Sequence, residues 1–454
     1  MHKIYIMIVL KFGGTSVGSV ENINKVANIV KATKGRKIVV LSAMSGVTNT
    51  LQKIANLLIM NNKKEAKLEM DILHDKYKNV AKKLFKGNSK VIQANEMLEL
   101  HNNLINNFLD IVISENEEKI ILAQGEMVST KLFQFLLEEL MMNATLVAAT
   151  DFMHIDTMGE PQMDVIQDKL SKIVNNLPNT ETFITQGFVC TNPANNIDNL
   201  KRGGSDYTAS LIGSAFEVDQ IQIWTDIDGM HNNDPRFVDK TFSIEEISFD
   251  EAAELAYFGA KILHPQSIIP AKEKNIPVLV KNTFKPEANG TLIYDGAEVK
   301  KIRAIAAKDN ITAIKIKSYR MLMAYGFLKK VFEVFEENET SIDMITTSEV
   351  AVSLTIDNTK KLNKIVQELN GFGNIEIDTD LSIICIAGDL AQNTKGVTSA
   401  IFNCIKDIPI RMISYGGSNY NLSFLVKTSD KISVLNLLNE GLFTELKSLQ
   451  SSSI

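Results

Sequence analysis

The chain has 454 residues, of which 45% are hydrophobic and 22% are charged, and its formal net charge is −6. This length predicts about three domains with enough chain for a large buried core, and the acidic balance argues against a general nucleic-acid-binding surface but not against a local basic pocket. Three widely separated cysteines, and no run near the ~20 apolar residues of a membrane span, argue against a disulfide framework, a zinc knuckle and a transmembrane helix, so we expect a cytoplasmic protein.

The N-terminal segment joins an apolar run to a glycine turn. Ile4 to Leu10 predicts a buried strand, which Lys11 and the pair Gly13-Gly14 follow. Apolar residues then recur at helical spacing, at Ile23, Val26, Ala27 and Val30. A strand, a glycine turn and a helix N-terminus are typical of anion binding, because glycines let backbone N–H groups approach phosphate oxygens and a lysine adds positive charge. The segment therefore favours phosphoryl transfer.

The following segments continue to alternate between strands and helices. Residues 37–42 predict a second strand, and a helix follows after the small-residue turn 43–46. Residues 61–120 predict two long helices that form a cap or an insertion. Further strands are predicted at 144–148, 182–188, 220–224 and 277–280, with helices at 207–216 and 244–257. Such alternation is typical of an α/β domain with a parallel sheet, which we predict for residues 1–295.

Residues 296–454 contain an internal repeat. A copy that begins at Gly326-Phe327 matches a second copy that begins at Gly396-Val397, at an offset of about 70 residues. Each copy predicts a helix and two strands joined by a polar turn, with further signals nearby, which is typical of the ferredoxin-like β-α-β-β-α-β unit. Two unrelated α/β pieces are the alternative, but a shared Met-Ile-(Thr/Ser) segment favours a true repeat, with copies at about 312–380 and 381–445.

Two glycine-containing clusters suit ligand binding, although each has a plainer interpretation. Residues 201–207 open a helix and suit a second anion site, unless Ser205 or Asp206 merely caps that helix. Gln124-Gly125-Glu126 is predicted at a helix start, where Glu126 either holds a substrate ammonium or is a solvated first-turn glutamate.

Two further clusters follow predicted secondary structure near the end of the α/β domain. Residues 224–229 and 233–236 suit a nucleotide site at the end of a strand, or form a turn-rich loop. Residues 258–265 place another lysine after a glycine, where it can reach a phosphate. The sequence contains no P-loop, no dinucleotide fingerprint after a strand and no H-E-x-x-H motif.

Together these clusters resemble the aspartate kinase family. The matching motifs, in family order over about residues 8–295, are Lys11–Ser16, Gly125-Glu126, Arg202–Tyr207, Trp224–Asp226, Asp234–Arg236 and Phe258–Pro265. The C-terminal repeat is similar to the tandem ACT modules of this family, and residues 342–350 are similar to the effector site of its lysine-sensitive monofunctional members. The resemblance implies an amino-acid kinase (carbamate kinase-like) α/β sandwich followed by two ferredoxin-like ACT domains.

The resemblance also implies transfer of the γ-phosphate of ATP to the β-carboxylate of L-aspartate, the first step of lysine, threonine and methionine biosynthesis. A carboxylate with a pKa of about 4 is ionised at pH 7, so the reaction needs positioning and positive charge more than a general base. Lys11 and the N–H groups of Gly13 and Gly14 are expected to hold the transferring phosphoryl group. Ser205 and Asp206 are expected to orient the substrate and the catalytic lysine.

The remaining binding roles are implied in the same way. Ser42 and Thr48 are expected to contact aspartate, Arg202 to grip its α-carboxylate and Glu126 to take its α-ammonium. The residues expected to line the ATP site are Lys11, Thr225, Asp226, His231, Arg236 and Lys261, of which Lys261 also counts as catalytic. His231 stands where the family usually has a tyrosine. Mg²⁺ is expected to bridge the phosphates, and no protein ligand is assigned to it.

The regulatory half is expected to bind L-lysine as a feedback inhibitor. The matching positions are Met321, Ala324, Leu328, Ser341, Asp343, Thr347, Ser348 and Glu349. Asp343 suits an effector ammonium, and Ala324 stands where a serine is common. The second copy has Arg411 in place of Asp343, so we expect the copies to differ in ligand binding. ACT pairing predicts a homodimer or a dimer of dimers.

Two alternative functions remain open at this point. The first is another amino-acid kinase, acting on glutamate or acetylglutamate, and the second is a non-catalytic amino-acid sensor with an inactive kinase half. The tandem repeat and the wording of residues 11–16 argue against the first. The presence of every charged position expected of the kinase argues against the second.

Overall fold

The structure, a computed structural model, describes residues 7–200, 203–258, 264–298, 301–318, 325–390 and 395–450. Four residues expected in binding sites, namely Arg202, Lys261, Met321 and Ala324, lie outside the described residues. The chain forms two compact units: unit 1 is Met1–Met230, Glu245–Phe249 and Ile262–Ala297, and unit 2 is His231–Ile244, Asp250–Lys261 and Glu298–Ile454. Two segments that the sequence places in the α/β domain, 231–244 and the described residues 250–258, therefore pack with unit 2.

The strands of unit 1 form a largely parallel sheet. Their bounds are β1 (Met7–Phe12), β2 (Arg36–Leu41), β3 (Ala144–Leu146), β4 (Thr182–Gln186), β5 (Val189–Thr191), β6 (Ile197–Asn199), β7 (Gln220–Thr225), β8 (Glu246–Ile247), β9 (Val278–Asn282) and β10 (Thr291–Ile293). Eight of them follow the order β3-β4-β2-β1-β7-β9-β10-β8, while β5 pairs with β6. The six strands from β3 to β9 in that order run parallel, so their carboxyl ends lie along one edge.

The helices of unit 1 cover this sheet. Their bounds are α1 (Val20–Ala32), α2 (Val47–Ile59), α3 (Lys63–Leu84), α4 (Asn88–Asn106), α5 (Glu115–Glu139), α6 (Ala149–Phe152), α7 (Met163–Asn175), α8 (Gly204–Phe216) and α10 (Ile269–Glu273), and α9 (Phe249–Tyr257) runs mostly within unit 2. The apolar stripe predicted for α1 is buried, and α3 and α4 confirm the two long helices expected between 61 and 120. The predicted helix 244–257 is wrong at its start, because residues 246–247 pair with β10 as strand β8.

Helix α5 corrects a further expectation. It begins at Glu115, where Ser114 and Glu117 form a reciprocal capping box, so Glu126 lies in the middle of a 25-residue helix and not at its start. Gly125 is not a helix boundary. A Cβ at this position would lie 2.8 Å from the Ala43 side chain, so the glycine permits close packing of α5 against the turn after β2. The solvated first-turn interpretation of Glu126 is therefore excluded.

Unit 2 contains the C-terminal repeat as one six-stranded sheet. Its strands are β11 (Ala304–Lys317), β12 (Ile345–Thr347), β13 (Ala351–Ile356), β14 (Asn374–Ala387), β15 (Met412–Tyr415) and β16 (Asn421–Lys427), in the order β12-β13-β11-β14-β16-β15. Its further helices are α11 (Phe327–Glu337), α12 (Leu362–Leu369), α13 (Val397–Cys404) and α14 (Lys431–Gln450). Helices and strands alternate as in two ferredoxin-like units.

The two long strands β11 and β14 are each divided between the two units of the repeat. Residues 312–317 pair with β13, and 313–317 also pair with the first half of β14. Residues 304–308 pair only with its second half, 383–387. The register shifts between these halves, and Asn310 and Asp380 adopt positive φ there, which Asn and Asp tolerate better than most residues. The second module therefore takes its fourth strand from residues that precede the first module in the chain.

Each module has its own apolar core. One cluster includes Ile314, Val331 and Leu354, and the other includes Ile305, Ile401 and Phe424. The presence of Ile305 in the second cluster agrees with the strand exchange seen in the sheet. Among the described residues, no helix is both long and apolar enough to cross a membrane.

Candidate active site

The carboxyl ends of β1, β2 and β4 meet the start of α8 around an open cavity of about 400 Å³ in unit 1. Its lining residues are Gly14, Thr15, Ser42, Ala43, Met44, Ser45, Gly46, Thr48, Asn49, Glu126, Phe188, Gly204 and Ser205. The four described residues that were expected to contact the amino-acid substrate are all among them. The parallel strands explain this, because segments far apart in the chain end at the same sheet edge.

Lys11 lies next to the glycine turn and is fixed by an acidic partner. Its Nζ lies 2.7 Å from Oδ1 of Asp206, and the two side chains are only 11% and 17% exposed. Contrary to the strand bounds expected from the sequence, Lys11 lies within β1, which continues to Phe12. A Cβ on Gly13 would lie 3.4 Å from the lysine nitrogen. The ammonium therefore lies beside backbone that no side chain covers.

The start of α8 does not use the expected side-chain cap. The N-cap residue is Gly203, at φ 65°, and no side chain caps the helix. Asp206 instead pairs with Lys11, while Ser205 accepts a 2.8 Å hydrogen bond from the Ser42 hydroxyl. The plain capping interpretation is therefore wrong, and the first turn of α8 directs its polar side chains toward β1 and β2.

The contact between Ser42 and Ser205 depends on a close approach of β4 to α8. A Cβ on Gly187, just after β4, would lie 2.2 Å from Oγ and 2.7 Å from Cα of Ser205. The hydroxyl of Ser129 in α5 donates to the carbonyl of Ser42 at 2.8 Å, which fixes the end of β2 from the other side.

We expect Gly187→Ala to disturb this contact. The added methyl group cannot be accommodated without a shift of the Ser205 backbone, so the free energy of unfolding should fall by about 1–3 kcal/mol and the KM for the amino-acid substrate should rise. Chemical denaturation and steady-state kinetics measure the two effects. Gly87→Ala is the matched control, because its Cβ would meet only the flexible Glu139 carboxylate, at 3.3 Å. Unchanged stability and KM in Gly187→Ala would contradict the packing described here.

Glu126 is the buried charge of the cavity. It is 4% exposed, and burial raises the pKa of its carboxyl to about 7 despite a hydrogen bond from the backbone N–H of Ala43. Its Oε2 is buried and has no hydrogen-bond partner among the described residues. Because a buried polar atom without a partner is costly, this oxygen is a candidate acceptor for a ligand that carries its own hydrogen-bond donor.

The residues expected at the ATP site are divided between the two units. In unit 1, Thr225 ends β7, and its hydroxyl lies 3.2 Å from Oδ1 of Asp226. In unit 2, Nδ1 of His231 lies 3.2 Å from the Thr241 hydroxyl, and the exposed Arg236 makes a two-pronged ion pair with Asp234. None of these residues lines the cavity around Glu126.

The expected effector residues differ in exposure. Leu328, Ser341, Thr347, Ser348 and Glu349 are exposed, whereas the Asp343 side chain is only 2% exposed. Asp343 is the buried charge of this group.

Two features of the cavity were not expected from the sequence. Asn49 and Phe188 line it, although neither was singled out as a site residue. Phe188 has φ 65°, and its backbone N–H donates to the Thr208 hydroxyl in α8 at 2.9 Å. Its position after Gly187 at the end of a predicted strand was the available signal. Among the described residues, no group of three His, Cys, Asp or Glu side chains is arranged to hold a metal ion.

Comparison with known families and proteins identifies amino-acid kinase and ACT sequence in this chain. Residues 7–282 match the model of the amino acid kinase family, and residues 384–442 match an ACT domain. The chain is 33% identical to the lysine-sensitive aspartokinase 3 of Escherichia coli, over 96% of this chain and 99% of that protein. It is 32% identical to the chloroplastic aspartokinase 1 of Arabidopsis thaliana, over 96% of this chain and 80% of that protein.

Solved structures give the same result. The crystal structure of E. coli aspartokinase III in complex with aspartate and ADP, in its R-state, matches with a TM-score of 0.84 at 33% identity, over 96% of this chain and all of that chain. The T-state complex of the same enzyme with lysine and aspartate matches with a TM-score of 0.81, over 96% and 99% of the two chains. The chain therefore belongs to the aspartokinase family, the ATP:L-aspartate 4-phosphotransferases.

Proposed function

We propose that this aspartokinase binds L-aspartate in the cavity lined by Ser42, Thr48, Glu126 and Ser205 and phosphorylates its β-carboxylate beside Lys11. The observation that carries the proposal is the buried carboxylate of Glu126, a residue of the cavity lining whose Oε2 has no partner in the described part of the chain. An α-ammonium group supplies both the missing hydrogen bond and the missing charge.

Binding of an ammonium would also change the protonation of the Glu126 carboxyl. The pKa of the Glu126 carboxyl is about 7, so a substantial fraction of it is protonated at neutral pH. A bound ammonium favours the carboxylate and lowers that pKa. Ser42 and Ser205 also line this cavity, and their hydroxyls suit the carboxylate oxygens of the same ligand. Arg202, which directly precedes Gly203 in the sequence, remains the expected partner of the α-carboxylate.

Lys11 is the proposed partner of the transferring phosphoryl group. Asp206 fixes its ammonium at 2.7 Å, so the charge is oriented before the substrate arrives. The backbone at Gly14 packs closely against the turn after β2, because a Cβ there would lie 3.0 Å from the Ala43 carbonyl oxygen. The β-carboxylate of aspartate is the nucleophile and is already ionised, so Lys11 lowers its repulsion from the γ-phosphate. No side chain has to remove a proton.

ATP is the phosphoryl donor. This agrees with the solved structure of the E. coli relative, which is a complex with aspartate and ADP. Thr225, Asp226, His231, Arg236 and Lys261 remain the proposed ATP contacts. We further propose Mg²⁺ as the accompanying ion, bridging the phosphates, and assign no protein ligand to it. When bound, it neutralises phosphate charge.

A coupled assay with aspartate, glutamate and acetylglutamate tests the proposed substrate. We expect turnover with aspartate at a kcat/KM at least about 10³-fold above that with glutamate, because an added methylene displaces the reacting carboxylate from its position. Equal turnover with glutamate would support the alternative kinase, and no turnover with any of these substrates would support the sensor.

The tandem ACT modules support regulation by L-lysine, the ligand in the T-state relative. We expect lysine to inhibit the enzyme, with a coupling free energy of about 1–3 kcal/mol between the effector and catalytic sites, while threonine and S-adenosylmethionine leave the activity unchanged. A titration of each compound into the assay measures this. Full activity in saturating lysine would contradict the regulatory assignment and leave the catalytic one intact.

Association through the ACT modules is also proposed, as a homodimer or a dimer of dimers. The β12 and β15 strands are the two edges of the six-stranded sheet and offer unpaired backbone for such pairing. Sedimentation analysis at several protein concentrations distinguishes a monomer, a dimer and a tetramer. The proposed compartment is the cytoplasm, which suits the free and buried thiols of Cys190 and Cys385.

A further inference from the structure

Helix α9 presents three polar side chains to the regulatory unit. Glu251, Glu254 and Tyr257 recur every three residues and therefore share one side of the helix, which we term the anchoring face. From Asp250 onward this helix belongs to unit 2, although the sequence places it in the kinase domain. The anchoring face consequently ties a kinase segment to the ACT modules.

The first two anchors are structural. Glu251 is fully buried, and its carboxylate pairs with Nε of Arg303, just before β11, at 3.3 Å. Glu254 accepts a hydrogen bond from the side-chain amide of Asn421, the first residue of β16. A buried ion pair is costly to break, so the amino-terminal part of α9 is firmly held.

The third anchor differs because its partner belongs to the proposed effector site. The Tyr257 hydroxyl donates to Oδ1 of Asp343 at 2.9 Å, and the Nζ of Lys308 lies 2.7 Å from the same oxygen. The other oxygen of Asp343 is buried and has no partner among the described residues. Desolvation raises the pKa of the Asp343 carboxyl, while Lys308 acts in the opposite direction. Oδ1 of Asp343 thus has two partners, while Oδ2 can accept a hydrogen bond from a ligand.

Lys308 also has a second acidic partner, Asp357. Its Nζ also lies 2.9 Å from Oδ2 of Asp357 and 4.8 Å from the centre of the Tyr257 ring. A ligand ammonium that reaches Asp343 meets the like charge of Lys308, so the two cations compete for one carboxylate. Asp357 can retain Lys308 when this happens.

We propose that Asp343, Lys308 and Tyr257 form a switch that couples an ammonium-bearing effector to helix α9, an inference that rests on the proposed regulation by lysine. The effector ammonium pairs with Asp343, Lys308 shifts toward Asp357, and the Asp343 carboxylate turns toward the effector, so that Tyr257 loses its acceptor. The carboxyl end of α9 is then released while Glu251 and Glu254 keep the rest of the helix in place. The Tyr257–Asp343 hydrogen bond therefore stabilises the active state and opposes effector binding.

Tyr257→Phe tests this directly, because it removes the hydroxyl and keeps the ring beside Lys308. We expect the lysine concentration for half inhibition to fall at least about fivefold, with a parallel fall in the Kd for lysine measured by calorimetry and activity without lysine within about twofold of wild type. Lys308→Met is expected to move both lysine parameters in the same direction. Tyr294→Phe is the matched control, since its hydroxyl donates to Glu246 at 2.8 Å in unit 1.

The outcomes separate this inference from the proposed regulation. A wild-type enzyme that neither binds lysine nor responds to it would overturn both. A wild-type enzyme that responds, together with a Tyr257→Phe variant whose half-inhibition concentration is unchanged or raised, would overturn the switch alone. A merely structural hydrogen bond would lower the stability of Tyr257→Phe without sharpening its response to lysine.

Discussion

Replacement of Lys11 by alanine is expected to lower kcat by roughly 10²–10³-fold, the usual cost of losing one preorganised donor to the reacting charge. The ammonium is fixed by Asp206 at 2.7 Å and lies beside the bare backbone of Gly13, so the substitution removes the positive charge from this position. The KM for aspartate should change much less, because the proposed amino-acid contacts are made by other residues. Steady-state kinetics with ATP and aspartate varied independently measures both parameters.

Two control variants test whether the loss of kcat is specific to the Lys11 ammonium. Lys37→Met removes another buried lysine, at the amino end of β2 where it pairs with Ile8, and should leave kcat within about twofold of wild type. Asp206→Asn retains Lys11 but removes its ion pair and should give an intermediate loss. Wild-type turnover by Lys11→Ala would refute the proposed mechanism.

Replacement of Glu126 by glutamine is expected to raise the KM for aspartate by about 10–100-fold, since a hydrogen bond to a charged group contributes about 1.5–3 kcal/mol. The amide fills the same space and can still accept from the backbone of Ala43, but it cannot neutralise an α-ammonium. Initial rates over a range of aspartate concentrations measure the change. Glu138→Gln is the control, because Glu138 lies on the same helix and pairs with Lys90 at 2.6 Å, outside the cavity lining. An unchanged KM in Glu126→Gln would remove the proposed ammonium site.

The same variant has a pH signature. The pKa of Glu126 is raised from 4.5 to about 7 in the folded protein, so between these values the folded state binds more protons than the unfolded state. Wild-type stability from this group is therefore present at low pH and is lost as the pH rises toward 7. Glu126→Gln does not lose this stability. The free energy of unfolding of the variant, relative to that of the wild type, should therefore be higher at pH 8 than at pH 5 by about 2–3 kcal/mol.

Denaturant unfolding of both proteins at the two pH values checks this expectation. Aspartate added at pH 8 should stabilise the wild type strongly and Glu126→Gln weakly, because ligand binding to the folded state shifts the unfolding equilibrium. A difference between the proteins that does not change with pH would mean that Glu126 is ionised at low pH, contrary to its buried position.

Local patterns in the sequence identified the elements that hold the chemistry. The apolar run before Lys11, the glycines at 13 and 14 and the helical stripe of α1 are short-range features, and the structure reproduces them. The order of the motifs along the chain was enough to place the family, because those motifs are contiguous. The ferredoxin-like repeat was also visible, since each copy repeats the same local pattern.

The boundaries of helices, strands and modules were harder to predict from the sequence where they depend on packing between segments distant in the chain. Gly125 suggested a helix start, but helix α5 continues through this position. A glycine is needed there because the helix packs closely against Ala43, which is distant in sequence. The strand at 304–308 completes the second module although the first module lies between them in the chain. A period of two residues indicates a strand but not its partner.

The sequence by itself therefore determined the family, the reaction and the residue types at the site, because these are written in contiguous motifs. Only the tertiary structure decided which of those residues meet and how deeply they are buried. The bond from Ser42 to Ser205 joins residues 163 positions apart, Glu126 becomes a buried acid with a free oxygen, and Tyr257 meets Asp343 across 86 positions. Burial and partner choice are set by chain segments that meet only after folding, so no local pattern encodes them.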